Sequence, residues 1–334
     1  MCQSGVTCGK LWYYPDWSSS LGRREPPFAL QAKTADMPTP DQTQTLGEHM
    51  LRRSRSKHPV AGQIRHAVFD FDGTLSLLRA GWQQIMISYF DETLAATGAE
   101  ETPRTRRQLC IDFITRLTGR QTIYQCMELA QQVNARGGNA LAADDYKAEY
   151  LRRLHEHIDH RRSVIASGQN PLPFLVPGTL DLLERLRDQG TVCYLASGTD
   201  VDYVREEAAL LGIDHYFAED GQRPRIYGAL VDFQKFSKRM VIETILADNQ
   251  LDGDALVGFG DGYVEIEETL RVGGWAIAVA SDETRVDVDD EGSVAQPQMD
   301  SWKQERLWQA GAHILTPDWQ EHDVLLAYLG MDSR

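Results

Sequence analysis

Three short apolar runs, each closing on polar residues, constrain this 334-residue chain more than any other feature. Ala67-Val68-Phe69 runs into Asp70-Phe71-Asp72 and then Gly73-Thr74. Thr191 to Ala196 ends at Ser197-Gly198-Thr199, and Ala255 to Phe259 ends at Gly260-Asp261-Gly262. Apolar runs of this length, bounded by turn residues, are expected to be buried strands. Trp275–Ala280 and His313–Leu315 are two more. Between them lie helical patterns: Leu180–Arg187 before Gly190, Thr199–Leu211 before Gly212, and Val241–Leu246 with Ser237 as its N-cap. Strands alternating with helices predict an α/β fold, a doubly wound parallel sheet.

The pattern divides the chain. Residues 61–78 and 175–334 carry the α/β alternation. Residues 79–174 are helical throughout, with Gly-Gly and Pro breaks, and form an α-helical domain inserted after the first strand. Residues 1–60 hold six prolines, the run Ser18-Ser19-Ser20 and the basic tract Arg52 to Lys57, with no sustained period. They are expected to be a mobile or disordered extension whose removal leaves stability nearly unchanged. Residues 282–300 are acidic and aperiodic, which predicts an exposed loop. The Trp and Tyr residues of 302–328 are expected to pack a terminal helix.

Charge narrows the function classes. The chain has 49 acids and 34 bases. Residues 1–60 carry eight bases and five acids, so the remainder holds 26 bases against 44 acids. An acidic body argues against nucleic acid as a partner, which needs a basic face. A phosphate ligand stays open, because a metal ion or a local cation can supply the positive charge. No apolar run approaches the roughly 18 residues of a membrane span, and Met1–Ser20 has no signal-type apolar core. The five cysteines are scattered, with no C-x-x-C. A disulfide framework is not expected and a cytoplasmic location is.

In an open α/β sheet, ligands bind at the carboxyl ends of the strands. Asp70, Asp72, Ser197, Asp261 and Glu265 are therefore expected to converge from distant parts of the sequence. Carboxylates brought together repel and need a cation, for which Mg²⁺ with oxygen ligands is the natural choice. Other signals carry no site. His155, His157 and His160 do not share a helix face. Gly258-x-Gly260-x-Gly262 is not a dinucleotide fingerprint.

Asp70-Phe71-Asp72-Gly73-Thr74-Leu75 resembles the first motif of the haloacid dehalogenase (HAD) superfamily. Ser197 after its strand resembles the second motif, Lys238 at a helix start the third, and Gly260-Asp261-Gly262-Tyr263-Val264-Glu265 the fourth, with Glu where Asp is commoner. The four stand in the expected order over about residues 64 to 280. The helical insert is similar to the type 1 cap of phosphoglycolate phosphatase-like and β-phosphoglucomutase-like members. The resemblance implies that Asp70 is a nucleophile forming an aspartyl-phosphate and that Asp72 is the acid and base. It implies Mg²⁺ held by Asp70, the Asp72 carbonyl, Asp261 and Glu265, the last directly or through water. Thr74, Ser197, Gly198 and Lys238 would bind the phosphoryl group. Lys235 competes with Lys238 for that place.

The expected activity is Mg²⁺-dependent hydrolysis of a small soluble phosphomonoester. A phosphosugar mutase and a non-catalytic binding protein on the same scaffold are the alternatives. Specificity is expected in the cap and near Arg79 and Trp82. Arg104, Arg106, Arg107, Arg116 and Arg120 are further candidates to hold a second phosphate.

Overall fold

The computed structural model describes residues 43–54, 58–218, 225–283 and 298–331. The first apolar run forms β3 (His66–Phe69), every residue of which is buried. It lies between two parallel neighbours, β4 (Val192–Asp200) and β6 (Leu256–Gly260). A strand covered on both faces has no polar side to show, which is why these runs read as continuous rather than alternating. Phe69 and Phe259 stack across β3 and β6 with ring centroids 4.4 Å apart.

The parallel sheet is completed by β5 (Ile226–Ala229) beside β4, and by β7 (Trp275–Val279) and β8 (Ile314–Thr316) beyond β6. Two further strands, β1 (Thr43–Leu46) and β2 (Met50–Arg53), form an antiparallel hairpin on the β8 edge. The described sheet is thus mixed, in the order β1-β2-β8-β7-β6-β3-β4-β5.

That hairpin corrects the reading of residues 1–60 as one mobile extension. Met50 is 1% exposed and joins the main core with Trp319 and Leu326. The Arg53 guanidinium lies over the Trp308 ring, 4.3 Å from its centroid, and donates to the Ala312 carbonyl. Part of the basic tract is therefore structural. A four-residue strand with two arginines has too short a period to stand out in sequence, and only the open edge of β8 makes it pair. Residues 1–42 and 55–57 lie outside the described residues.

Helices α1 (Trp82–Ala95), α2 (Pro103–Arg116), α3 (Thr122–Ala135) and α4 (Ala143–Ala166) follow β3. Pro103 at the first helical position and the Thr102 hydroxyl, accepting from the Thr105 N–H at 3.1 Å, start α2. The four helices bury their own apolar cluster around Phe90, Phe113, Leu129 and Leu154. They are fastened to the α/β core at several points. Arg161 of α4 is buried and donates to the carbonyls of Leu78 and Ala80. Gln121 donates to the carbonyls of Phe233 and Phe236, each at 2.8 Å.

The core helices are α5 (Thr179–Asp188), α6 (Val201–Leu210), α7 (Lys238–Asp248), α8 (Tyr263–Arg271), α9 (Ser301–Gln309) and α10 (His322–Tyr328). β4 runs four residues past the expected end at Ala196. Asp200 pairs with Ala229 of β5, with a register break after Ala196, and α6 starts only at Val201. Ser197 to Thr199 therefore sit in an irregular strand end rather than a loop. Cys110, Cys126 and Cys193 are buried free thiols, each pushed up to about 12 by burial.

Met50→Ala should cost about 2–5 kcal/mol, the range for deleting a buried Met side chain. Urea unfolding checks this. A change within about 0.5 kcal/mol would mean that the hairpin contributes nothing to the core.

Candidate active site

The site lies at the carboxyl ends of three adjacent strands: β3, β4 and β6. Asp70 directly follows β3, and its N–H donates to the Phe259 carbonyl at 2.9 Å, which continues the pairing with β6. The chain then turns sharply at Gly73, whose φ is +75°. A Cβ there would fall 2.2 Å from Asp261 Oδ2, so the glycine admits both the left-handed turn and the carboxylate opposite it.

Lys238 is the first residue of α7. The Ser237 hydroxyl accepts from the Met240 N–H at 3.1 Å, and this cap fixes the helix start. Lys238 is 5% exposed, and its ammonium donates to Asp70 Oδ1 at 2.6 Å and contacts Glu265. Lys235 points away: it is exposed and pairs with Asp232 at 3.1 Å. Of the two lysines, Lys238 is the one that the fold brings to the site. Glu265 lies in the first turn of α8, where a carboxylate also meets the positive end of the helix dipole.

Asp72 has a different environment. The Thr199 hydroxyl donates to its Oδ2 at 2.8 Å, and the Arg79 guanidinium stands 3.9 Å from Oδ1. Arg79 is turned mainly towards fully buried Glu207 of α6, bridged by two 2.8 Å bonds. Burial pushes Asp72 up to about 7. Arg79 and the Thr199 hydroxyl pull it down, while Glu207 and Asp70 add to the rise. Asp70 is also raised, first by burial and further by Asp261, against the pull of Lys238.

A cavity of about 80 Å³ opens above these groups, lined by Asp70, Asp72, Ser197, Thr199, Lys238 and Asp261 on the core side. Trp82, Arg120, Gln125 and Tyr150 close it from the helical side. The space is well below the roughly 300 Å³ lower bound of drug-sized pockets and suits a small polar group. Gly198 meets the cap here. A Cβ on it would lie 2.7 Å from the Arg120 carbonyl, so any side chain would push the two parts of the molecule apart. Of the cap-side arginines, Arg79 and Arg120 reach the cavity, whereas Arg106 pairs with Asp91 and Arg116 with Glu128. Thr74 does not reach it. Its side chain is fully buried beneath, its hydroxyl has no partner, and its carbonyl accepts from Trp319 Nε1 at 2.7 Å.

Besides Thr199 and Glu207, three participants nearer Asp261 escaped the sequence reading. Lys303 of α9 is 6% exposed and pairs with Asp261 at 2.8 Å and with Glu283 at 2.6 Å. Burial works against its charge, but Asp261 and Glu283 outweigh that and hold its pKa above the ordinary value. Ser281 donates to the Gly73 carbonyl at 2.6 Å. Glu283 was expected in an exposed loop, yet its carboxylate is only 17% exposed, because Lys303 holds it inward. Most of residues 282–300 lie outside the described residues. The one local signal was a lysine on the inner face of α9, and nothing in the sequence says that this face meets a carboxylate.

The donor set can be tested against a divalent cation. Among the described residues, no three His, Cys, Asp or Glu side chains gather closely enough to hold an ion. Lys238 and Lys303 instead draw the carboxylates into pairs. Among the described residues, Asp70 and Glu265 contact the Lys238 ammonium and Asp261 and Glu283 the Lys303 ammonium, so four carboxylates meet two ammonium groups. Glu265 Oε2 is buried and accepts no hydrogen bond. Oxygen donors, carboxylates that outnumber the lysines they contact, and an orphaned carboxylate oxygen fit a hard divalent ion.

The family model for haloacid dehalogenase-like hydrolases matches residues 67–264, and the chain belongs to that family. Among solved structures it is similar to a predicted phosphoglycolate phosphatase from Haemophilus somnus 129PT, with 15% identity, a TM-score of 0.47, and 79% of this chain and 98% of the other covered. A haloacid dehalogenase-like protein of unknown function from Agrobacterium tumefaciens C58 shows 17% identity and a TM-score of 0.47, covering 79% and 98%. A HAD family hydrolase from Deinococcus radiodurans R1, solved with bound phosphate and sodium, shows 16% identity and a TM-score of 0.44, covering 80% and 97%. No curated protein matches the sequence. No helix among the described residues is long and apolar enough to cross a membrane.

The raised Asp72 pKa makes a signed prediction for metal-free protein. A carboxyl that ionises at about 7 when folded and near 3.8 when unfolded binds its proton more tightly in the native state. Its contribution to stability is full at low pH and is lost as pH rises from about 4 through about 7. Asp72→Asn should therefore gain stability relative to wild type across that window and show no further gain above it. Thermal melts in EDTA from pH 4 to 8 read this, and parallel curves for the two proteins would contradict it.

Proposed function

We propose that the protein is a phosphomonoester hydrolase that works through an aspartyl-phosphate on Asp70, with Asp72 as general acid and base. The observation that carries this is the contrast between two carboxyls two residues apart. Asp70 is bonded to the Lys238 ammonium, while Asp72 sits beside Thr199 and Arg79 with its pKa raised to about 7. A pair held in such different environments suits division into nucleophile and proton carrier.

In the first step an Asp70 oxygen attacks phosphorus, the bond from phosphorus to the ester oxygen breaks, and protonated Asp72 gives its proton to the leaving oxygen. In the second step ionised Asp72 takes a proton from water as the water oxygen bonds to phosphorus. The bond from Asp70 to phosphorus breaks, which releases phosphate and returns both carboxyls to their starting forms. Lys238, Ser197 and the backbone N–H of Gly198 would hold the phosphoryl oxygens. Mg²⁺, which Asp70, Asp261, the Asp72 carbonyl and Glu265 would hold, supplies positive charge that lets a carboxylate and a phosphate dianion approach. The substrate is a small phosphorylated metabolite, in keeping with the 80 Å³ cavity under the cap. Closure by the cap keeps bulk water from the reacting groups.

Asp70→Asn should lower phosphate release from a panel of sugar and short-chain phosphate esters with Mg²⁺ by more than about a hundredfold, with the fold intact by circular dichroism. Residual activity above about 1% would remove Asp70 from the nucleophile role. A product that is an isomer of the substrate, with no free phosphate, would assign the site to phosphoryl transfer within the substrate instead.

Asp72→Asn should cost much less with p-nitrophenyl phosphate than with an alkyl phosphate, because a leaving group of low pKa needs little protonation. Equal losses on the two substrates would show that Asp72 is not the acid.

A further inference from the structure

Lys303 belongs to none of the motifs that mark the site, yet it is tied to two of the loops that form it. Its ammonium has three N–H donors and meets three acceptors: Asp261 Oδ2 at 2.8 Å, Glu283 Oε1 at 2.6 Å and Ser281 Oγ at 3.2 Å. Ser281 spends its own proton on the Gly73 carbonyl at 2.6 Å, in the loop that carries Asp70 and Asp72. Through these bonds Lys303 joins the loops after β3, β6 and β7. The side chain is only 7% exposed, so its charge is poorly screened by water.

We propose that Lys303 sets the balance between the divalent ion and the phosphate at this site, by holding Asp261 and standing beside it as a fixed positive charge. The proposal rests on the reading of Asp261 as a ligand of the ion. Its logic is charge balance. The four carboxylates Asp70, Asp261, Glu265 and Glu283 against Lys238 and Lys303 leave two negative charges. A divalent ion cancels the net charge of these six groups, so a phosphate dianion then enters without net repulsion from them. Without Lys303 the same site would hold the ion more tightly and remain negative, opposing the dianion. Lys303 thus weakens ion binding and strengthens phosphate binding. Glu283 offsets part of its charge and tempers both effects.

The opposite signs separate this role from mere support of the fold, since a loosened site would weaken both ligands together. The test uses the full chain with Mn²⁺, counting free ion by electron paramagnetic resonance, and then inorganic phosphate titrated into the Mn²⁺-loaded protein by calorimetry. Lys303→Met should bind Mn²⁺ at least about tenfold more tightly and phosphate at least about tenfold more weakly, a lower bound for removing one poorly screened charge a few ångströms away. Glu283→Gln, which keeps Lys303 and removes its counter-charge, should shift both in the reverse direction by several-fold. It serves equally if Lys303→Met does not fold. Mn²⁺ affinity that is unchanged or weaker in Lys303→Met, or unchanged in Glu283→Gln, overturns the proposal. A wild type whose Mn²⁺ binding matches that of Asp261→Asn overturns the reading of Asp261 as a ligand, and the proposal with it. Wild-type binding that Asp261→Asn abolishes keeps that reading, whatever Lys303 does.

Discussion

Burying carboxylates side by side is the constraint on which the rest of this structure depends. Asp70, Asp72, Asp261 and Glu265 are all drawn from the ends of two adjacent strands and the helix that follows one of them. Each loses solvation, and each repels the others. The fold answers with buried cations brought in from elsewhere: Lys238 from the start of α7, Lys303 from α9 and Arg79 from the chain entering the cap. None of these is a surface ion pair of small consequence. Each of the three cations is almost wholly buried, so removing its partner would strand a charge.

The same logic explains how the cap and the core are tied together. Arg79 leads into the cap, yet its charge is satisfied by Glu207 of the core helix α6, across 128 positions of sequence. Arg161 of the cap saturates the carbonyls of Leu78 and Ala80 at that entry point. Polar groups at this junction are satisfied only when cap and core stand in one relation. The close approach of Gly198 to the Arg120 carbonyl gives the same relation a steric limit. The cavity is small because these contacts hold its two walls together.

How much could be read beforehand depends on whether a signal is local. The buried strands were legible because both faces of a parallel sheet are covered, so their residues are apolar without interruption. The preference for Lys238 over Lys235 was legible because Ser237 is a local cap, and capping fixes where a helix begins. The hairpin at residues 43–53 was not, since its strands pair only because β8 offers an open edge. Nor was the extended end of β4, which follows from a bond partner in β5 that no pattern announced. Thr74 shows the converse: the motif places it next to the acids, but the turn at Gly73 sends its side chain beneath them.

What the sequence by itself determined is the set of α/β elements and the polar residues at their ends. Those depend on short-range periodicity, turn residues and caps, each contained within a few positions. What only the tertiary structure decided is which charges neutralise those residues. Lys303, Glu283 and Glu207 look in sequence like ordinary residues of polar segments. Their roles come from packing α9 and α6 against the strand ends, where desolvation makes every uncompensated charge costly and leaves a choice of partners that no local pattern encodes.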